Sequence, residues 1–523
     1  METICVGKEF SSSAKINMDK EFVFYNYKYI QKENSPVYGA ADSSEVVIRP
    51  VYFDELCYLL NADGAHLILF GGTWSEKTQA VIDRVNFFAR KYGVDTVYNF
   101  DFRVDGESEH ASFKADLTEQ ASYDGPGKRE PIGCAECNYL YGEIVTRHFT
   151  NLNDWVRKKV GEGDDITYLN LYVDAVTVPR LEEPFLVLYN KDNKVDHSGN
   201  GGKAGSYPIV GAMELDYTRD EIPEDLDAQL ECCVFGFIGK DGNDIIPYTH
   251  QDYMYDSFRQ NQRGHSFKTE DCFKKGEQIN ITPVTLQELR WILSQKGSFL
   301  VLFAGAWCAN SQAGIATVND FAVANDVTVY MLDSRIEGKY QIDFWKYPRQ
   351  NELKLSHPAV RAGYLDLWER CLPGAPVLCS VNPNSPFGRF DPTVLDDAGG
   401  AHTVLPIDIP YFLAVNKDNP APREGFKPVL AACNHDGFEL INCVKTFIYH
   451  KPNYRKYTAG IYFVMNAYCD SLGTEPKDIG IDRTAPVVEG EVMKNPDIKG
   501  EVKYFKEHDW YKERGGAGDC GCC

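Results

Sequence analysis

The sequence predicts an α/β protein of two related units in tandem, each with a central mixed sheet flanked by helices and interrupted by a partly helical insert. Two observations carry this. One composite pattern occurs twice, as HLILFGGTWSEKTQAVIDRVNFFARKYGVDTVYNFDFRVDGE from His66 and as FLVLFAGAWCANSQAGIATVNDFAVANDVTVYMLDSRIEGK from Phe299. A second pair follows, LEEPFLVLYNKDNK around Pro184 and IDIPYFLAVNKDNP around Pro410. Trp74 and Trp307 stand 233 positions apart and the two prolines 226, as expected if loops changed length while the elements kept their order. Self-similarity on this scale governs how the whole chain is read.

Each unit opens with a short helical pattern, FDELCYLLNADG and LQELRWILSQKG. Apolar residues recur at i, i+3 and i+4, and each pattern ends in Gly after a polar residue, a helix stop. An apolar strand follows, then a glycine-containing turn, Trp, a helix, a Val- and Tyr-rich strand and an acidic turn. From Trp to Pro the units span 110 and 103 positions, which leaves room for inserts with helical patterns, NYLYGEIVTRHFTNLNDWVRKKVG and HPAVRAGYLDLWERCLPG. The expected layout is an N-terminal extension (1–44), a first unit (45–265), a second unit (278–480) and a charged tail (481–523) ending in a cysteine cluster. Alternating elements of this kind build a layered sheet-and-helix core.

Composition narrows the function classes. The chain is 43% apolar and 25% charged over 523 residues, the balance of a globular protein. No run of eighteen or more apolar residues occurs, so no transmembrane segment is expected. The opening METICVGKEFSSSAK lacks an apolar stretch behind a basic start, which points to the cytoplasm. A net charge of −22 repels phosphate backbones, and no nucleic-acid partner is expected. Sixteen cysteines without an export signal read as thiols rather than a disulfide framework. Cys57, Cys379, Cys443 and Cys469 lie inside apolar runs, where a thiol is a small hydrophobe.

A strand, then W-C-x-x opening a helix, then much later a Pro before another strand: in this arrangement the chain resembles the thioredoxin superfamily. The second unit carries Trp307-Cys308-Ala309-Asn310-Ser311 and Ile409-Pro410; the first carries Trp74-Ser75-Glu76-Lys77-Thr78 and Glu183-Pro184. The resemblance implies that Pro184 and Pro410 follow cis peptide bonds, that Pro410 helps bind an extended substrate backbone and that Trp307 supplies adjoining apolar surface. It covers roughly residues 45–200 and 280–420. The helical inserts are similar to those of bacterial disulfide-forming relatives.

Cys308 is the candidate nucleophile. A thiol in the first turn of a helix faces unpaired N–H groups and the positive end of the helix dipole, which can bring its pKa from about 8.5 to between roughly 3.5 and 7.5. The thiolate attacks disulfides. Ser311 stands where the resolving cysteine would be, so the dithiol cycle is excluded within the motif and a one-cysteine mechanism remains. Leu302 occupies the place of the family's buried acid, which would assist that missing thiol. In the first unit Ser75 and Thr78 replace both cysteines, leaving a degenerate site of Trp74, Ser75, Thr78 and Pro184 suited to structure or partner binding.

Other cysteines remain open. Cys134 and Cys137 form a C-x-x-C, read first as two reduced thiols packed near the insert and otherwise as a redox pair or half of a zinc site; adjacent Cys232 and Cys233 are poor complements for chelation. Cys520, Cys522 and Cys523 close a glycine-rich tail. They read as a resolving arm for Cys308, since roughly forty flexible residues span about 35 Å, as a soft-metal ligand set, or as a lipidation site. GNGGKAG at Gly199–Gly205 does not match a phosphate loop and reads as a surface loop. No cofactor is expected. The leading reading is monothiol thiol–disulfide exchange on a protein or small-thiol disulfide. Its rival is a non-catalytic tandem scaffold or binding protein, with soft-metal binding through the C-terminal cysteines.

Overall fold

The computed structural model describes residues 16–29, 42–101, 144, 147–155, 166–169, 175–178, 184–199, 205–260, 272–306, 309–333, 366–373, 375, 393–395, 401–403, 409–417, 428–434, 459–477 and 479. The first repeat runs α1 Met18–Tyr29, β1 Ile48–Val51, α2 Phe53–Leu59, β2 His66–Phe70, α3 Glu76–Lys91, β3 Val97–Phe100, β4 Ile166–Leu169, β5 Ala175–Val178, β6 Phe185–Tyr189, β7 Ile209–Glu214, α4 Leu226–Cys233 and α5 His250–Gln260. The second runs β8 Ile281–Pro283, α6 Leu286–Ile292, β9 Ser298–Ala304, α7 Ala309–Asn325, β10 Val329–Asp333, β11 Thr393–Leu395, β12 Ala401–Thr403, β13 Tyr411–Asn416, β14 Val429–Asn434 and α8 Ala459–Ser471.

Two mixed five-stranded sheets result, with the same topology. One has the order β1-β3-β2-β6-β7 and the other, read in the matching direction, β8-β10-β9-β13-β14. In each, the first three strands are parallel and the last two antiparallel. The central strands β2 and β9 are buried along their whole length, which is why they read as continuous apolar runs rather than alternating ones. Even the irregularities repeat. The register of the last antiparallel pair shifts between Leu188 and Tyr189 in one sheet and between Ala414 and Val415 in the other, a spacing of 226.

Polar pins repeat as well. Asn86 of α3 accepts from the Val47 amide at 2.9 Å and donates to the Glu45 carbonyl at 3.1 Å. Asn319 of α7 accepts from the Asn280 amide at 2.8 Å and donates to the Gln278 carbonyl at 2.9 Å. Each asparagine thus ties the helix behind the central strand to the chain entering the sheet. Both expected helix stops, Gly64 and Gly297, carry positive φ (+90° and +113°), conformations that other residues rarely adopt.

The expected extension is built into the fold. Met18, Phe22, Val23, Phe24 and Tyr27 of α1 are buried. Phe22 meets the Trp291 ring of α6 edge-on at 5.9 Å, Tyr25 stacks on it at 6.3 Å, and Tyr27 donates to Asn99 beside β2 at 3.1 Å. Helix α1 therefore bridges the two repeats. Of the two insert patterns only residues 144, 147–155 and 366–373 are described. The second holds a π-helical turn at Leu367–Cys371, but the β4–β5 and β11–β12 hairpins were not foreseen.

Ile409–Pro410 is cis. Glu183, Trp307, Cys308, Cys134, Cys137, Cys520, Cys522 and Cys523 lie outside the described residues, as do Cys379, Cys443 and the tail. Among the described residues no helix is long and apolar enough to cross a membrane.

Candidate functional site

Both tryptophan-bearing turns leave the C-terminal end of a central parallel strand and enter a helix. In the first repeat this turn is fully described. Ser75 caps α3, its Oγ accepting from the Thr78 amide at 3.3 Å, a normal N-terminal cap. Gln79 reaches back from the helix and donates to the Thr73 carbonyl at 2.6 Å. The Trp74 indole donates to Asp101 Oδ1 at 3.0 Å, just beyond the end of β3.

Pro184 and Thr78 meet at Gly71. A Cβ at Gly71 would lie 2.6 Å from Thr78 Oγ1 and 3.2 Å from Pro184 Cβ, so only glycine lets the helix and the proline-led strand close on the turn. Thr78 is fully buried and its hydroxyl has no hydrogen-bond partner. Thr78 and Pro184 thus meet at the turn that carries Trp74 and Ser75. The Thr78 hydroxyl there is sealed from water.

The second turn ends in α7, which begins at Ala309, the residue after Cys308. Ser311 is buried and its Oγ accepts from the Gly305 amide at 3.3 Å. Gln312 donates to the Ala306 carbonyl at 2.7 Å. Beside this turn β13 runs antiparallel to β9, with Tyr411 opposite Phe303, so that Pro410 lies next to the strand end that leads to Cys308. Phe303, Trp368 and Tyr411 form an aromatic cluster there, with ring separations of 5.8, 6.1 and 6.2 Å. Trp368, from the insert, carried no signal in the sequence beyond its helical spacing.

Among the other described thiols Cys232 is exposed and Cys57 half-buried, while the rest are held back by their surroundings. Burial pushes Cys371 up to about 11, with Asp366 adding to the push against nearby Arg370, Arg290 and Lys417. Burial likewise raises Cys469, and burial with Cys232 raises Cys233. Cys272 and Cys433 are buried. Among the described residues no group of three or more His, Cys, Asp or Glu is placed to hold a metal ion.

The two repeats face each other through the C-terminal ends of their parallel strands. A narrow cleft there is lined by Phe22, Tyr52, Thr73, Asp101, Gln287 and Asp333, among others. Across it Gln287 of α6 donates to Asp101 Oδ2 at 2.9 Å, so the carboxylate that holds Trp74 is also held by the second repeat. Asp101 and Asp333 end equivalent strands, a pairing that the twin sequences VYNFD and VYMLD made visible. No family model, no curated protein and no solved structure matches this chain.

Proposed function

We propose that the chain is a tandem thioredoxin-like protein and that its second repeat performs thiol–disulfide exchange through Cys308 alone. The observation that carries this reading is one of placement. The central strand β9 ends at Ala304 and α7 begins at Ala309, so in the sequence Cys308 falls just before the helix, while Pro410 precedes the antiparallel strand β13 beside β9. The shared strand order of the two sheets, each with a tryptophan turn and a proline-led strand, supports the fold assignment.

In the proposed reaction the Cys308 thiolate attacks one sulfur of a substrate disulfide. The new S–S bond joins Cys308 to that sulfur, and the other substrate sulfur leaves as a thiolate that takes up a proton. With Ser311 in the fourth position of the motif, no neighbouring thiol resolves the adduct. A second thiolate, from a small thiol, attacks the Cys308-bound substrate sulfur and frees Cys308 as a thiolate. The first substrate sulfur leaves in a mixed disulfide with the small thiol and the second leaves as a free thiol, so one disulfide is exchanged for another with no external oxidant or reductant. Gln312, by fixing the Ala306 carbonyl, holds the loop that presents Cys308.

The test is reactivity. Iodoacetamide should label Cys308 at pH 6 at least tenfold faster than a model thiol, and Cys308→Ser should abolish mixed-disulfide trapping with a thiol-activated probe. Labelling no faster than the model thiol would remove the catalytic reading and leave a scaffold. The first repeat fits that bland role already: its motif holds no thiol, and its tryptophan is engaged internally.

A further inference from the structure

Away from both tryptophan turns, the duplication extends one element further back in the chain. Strand β1 begins Ile-Arg-Pro and β8 reads Ile-Thr-Pro, 233 positions on. A helix precedes each: α1 starts 30 residues before β1 and α5 starts 31 before β8, with lengths of 12 and 11 residues. Their buried positions match. Phe22, Val23 and Tyr27 of α1 are buried, and so are Tyr253, Met254 and Phe258 of α5, each 231 positions on. Helix α5 is thus the counterpart of α1, and it opens the second repeat rather than closing the first.

Each of these two arms packs on the opposite repeat. Phe22 meets the Trp291 ring of α6 edge-on at 5.9 Å and 74°, and Tyr253 meets the Tyr58 ring of α2 edge-on at 5.5 Å and 78°. Trp291 and Tyr58 are themselves counterparts, 233 positions apart. Tyr25 adds a stack on Trp291 at 6.3 Å, and the Tyr253 hydroxyl donates to Asp54 of α2 at 3.0 Å. Where the arms meet, His250 Nε2 lies 2.8 Å from Asp19 Oδ2, and these residues share the same 231 spacing. Contact between a residue and its own counterpart marks a twofold axis. The cleft between the repeats obeys the same relation, for its lining pairs Phe53 with Leu286, Phe100 with Leu332 and Asp101 with Asp333.

We infer that the two repeats hold each other as a twofold pair with exchanged arms, and that the face of α6 around Trp291 is a docking site for an arm helix of this sequence. A self-complementary interface of this kind fits a second copy of the same unit. Here the first repeat is that copy, and the chain supplies its own partner. What α6 recognises is an aromatic helix: Phe22 and Tyr25, three residues apart and so on one face, both lie against Trp291. Asp19 in the first turn of the arm adds the bond to His250. Helix α5 lies between the repeats in the chain and α1 outside them, so α1 is the arm that a second copy can replace.

Hydrogen exchange on the full chain tests the crossing. Phe22→Ala should speed exchange of the α6 amides by about tenfold or more and that of α2 by less than about twofold. Tyr253→Ala should do the reverse. A rise confined to the opening helix of the arm's own repeat, or equal rises in α2 and α6, overturns the exchange of arms. Docking is tested by supplying the arm from outside. A synthetic peptide of residues 16–29, in large excess, should restore slow α6 exchange to the Phe22→Ala chain, and the same peptide carrying Phe22→Ala should not. No restoration by the wild-type peptide overturns the docking site, and restoration by both peptides overturns its recognition through Phe22.

Discussion

Gln79 and Gln312, 233 positions apart, make the same hydrogen bond: each donates its side-chain amide to the carbonyl of the residue just before the tryptophan, at 2.6 Å to Thr73 and at 2.7 Å to Ala306. A helix thereby reaches back and fixes the turn that leads into it. One of these turns leads to a cysteine and the other to a serine, yet both are held alike. The bond therefore belongs to the frame and is retained where no thiol follows.

Removing it should cost both repeats similarly. Gln79→Ala and Gln312→Ala each leave a carbonyl without its partner, an expected loss of about 1–2 kcal/mol in urea unfolding. Only Gln312→Ala should also change the alkylation rate of Cys308. If Gln79→Ala shifts that rate equally, the effect travels through global stability and the positioning role of Gln312 is lost.

The sealed hydroxyl of Thr78 gives an expectation of opposite sign. Valine keeps the shape and removes a buried polar atom that has no partner, so Thr78→Val should be neutral or stabilise by up to about 1 kcal/mol. Gly71→Ala should instead destabilise by roughly 1–3 kcal/mol, because its methyl would press on Thr78 and Pro184. Thermal melts of the two variants decide the matter, and a destabilised Thr78→Val would mean that the hydroxyl is satisfied after all.

Environment sets a labelling order for the described thiols. Exposed Cys232 should react first with iodoacetamide in the native chain at pH 8, well ahead of Cys272, Cys371 and Cys433. Cys371, pushed up to about 11 chiefly by burial, should stay unlabelled until the chain unfolds. Peptide mass spectrometry after timed quenching reads the order directly.

His66 makes the fold sensitive to acid. Burial of the ring in β2 pushes it down to about 4 from an ordinary 6.5. The unfolded chain therefore takes up a proton that the folded chain refuses, and stability falls as pH drops between those values. The loss attributable to this one group is about 3 kcal/mol. His66→Phe should reduce the difference in unfolding free energy between pH 7 and pH 4 by a comparable amount; an unchanged difference would place the acid sensitivity elsewhere.

The elements legible in the sequence were those whose signal is local or repeated. The two strand–turn–helix patterns and the helix stops at Gly64 and Gly297 follow from short-range pattern plus duplication. Helix α1 escaped because MDKEFVFYNYKY is buried on more than one side, against elements of both repeats, so no single polar face marks it as a helix. The buried ionic cluster of Asp19, Arg49, Glu55 and His250 escaped for a different reason. Asp19 and His250 are 231 positions apart, Arg49 and His250 201, and nothing near any of them in the chain names the partner. The hairpins β4–β5 and β11–β12 lie in stretches whose helical spacing elsewhere in the same insert dominated the pattern.

The hydrogen bond from Gln287 to Asp101 has a consequence for how the chain is divided. Trp74 is tied to Asp101, and Asp101 is tied across the cleft to the other repeat, so the indole of the first motif reports on the packing of the second. Expressing the first repeat by itself would remove the Gln287 donor from that carboxylate and loosen the ring it steadies. A cut between the repeats is therefore not a neutral boundary: the turn that carries Trp74 is fastened to the second repeat, and separating the two undoes that fastening.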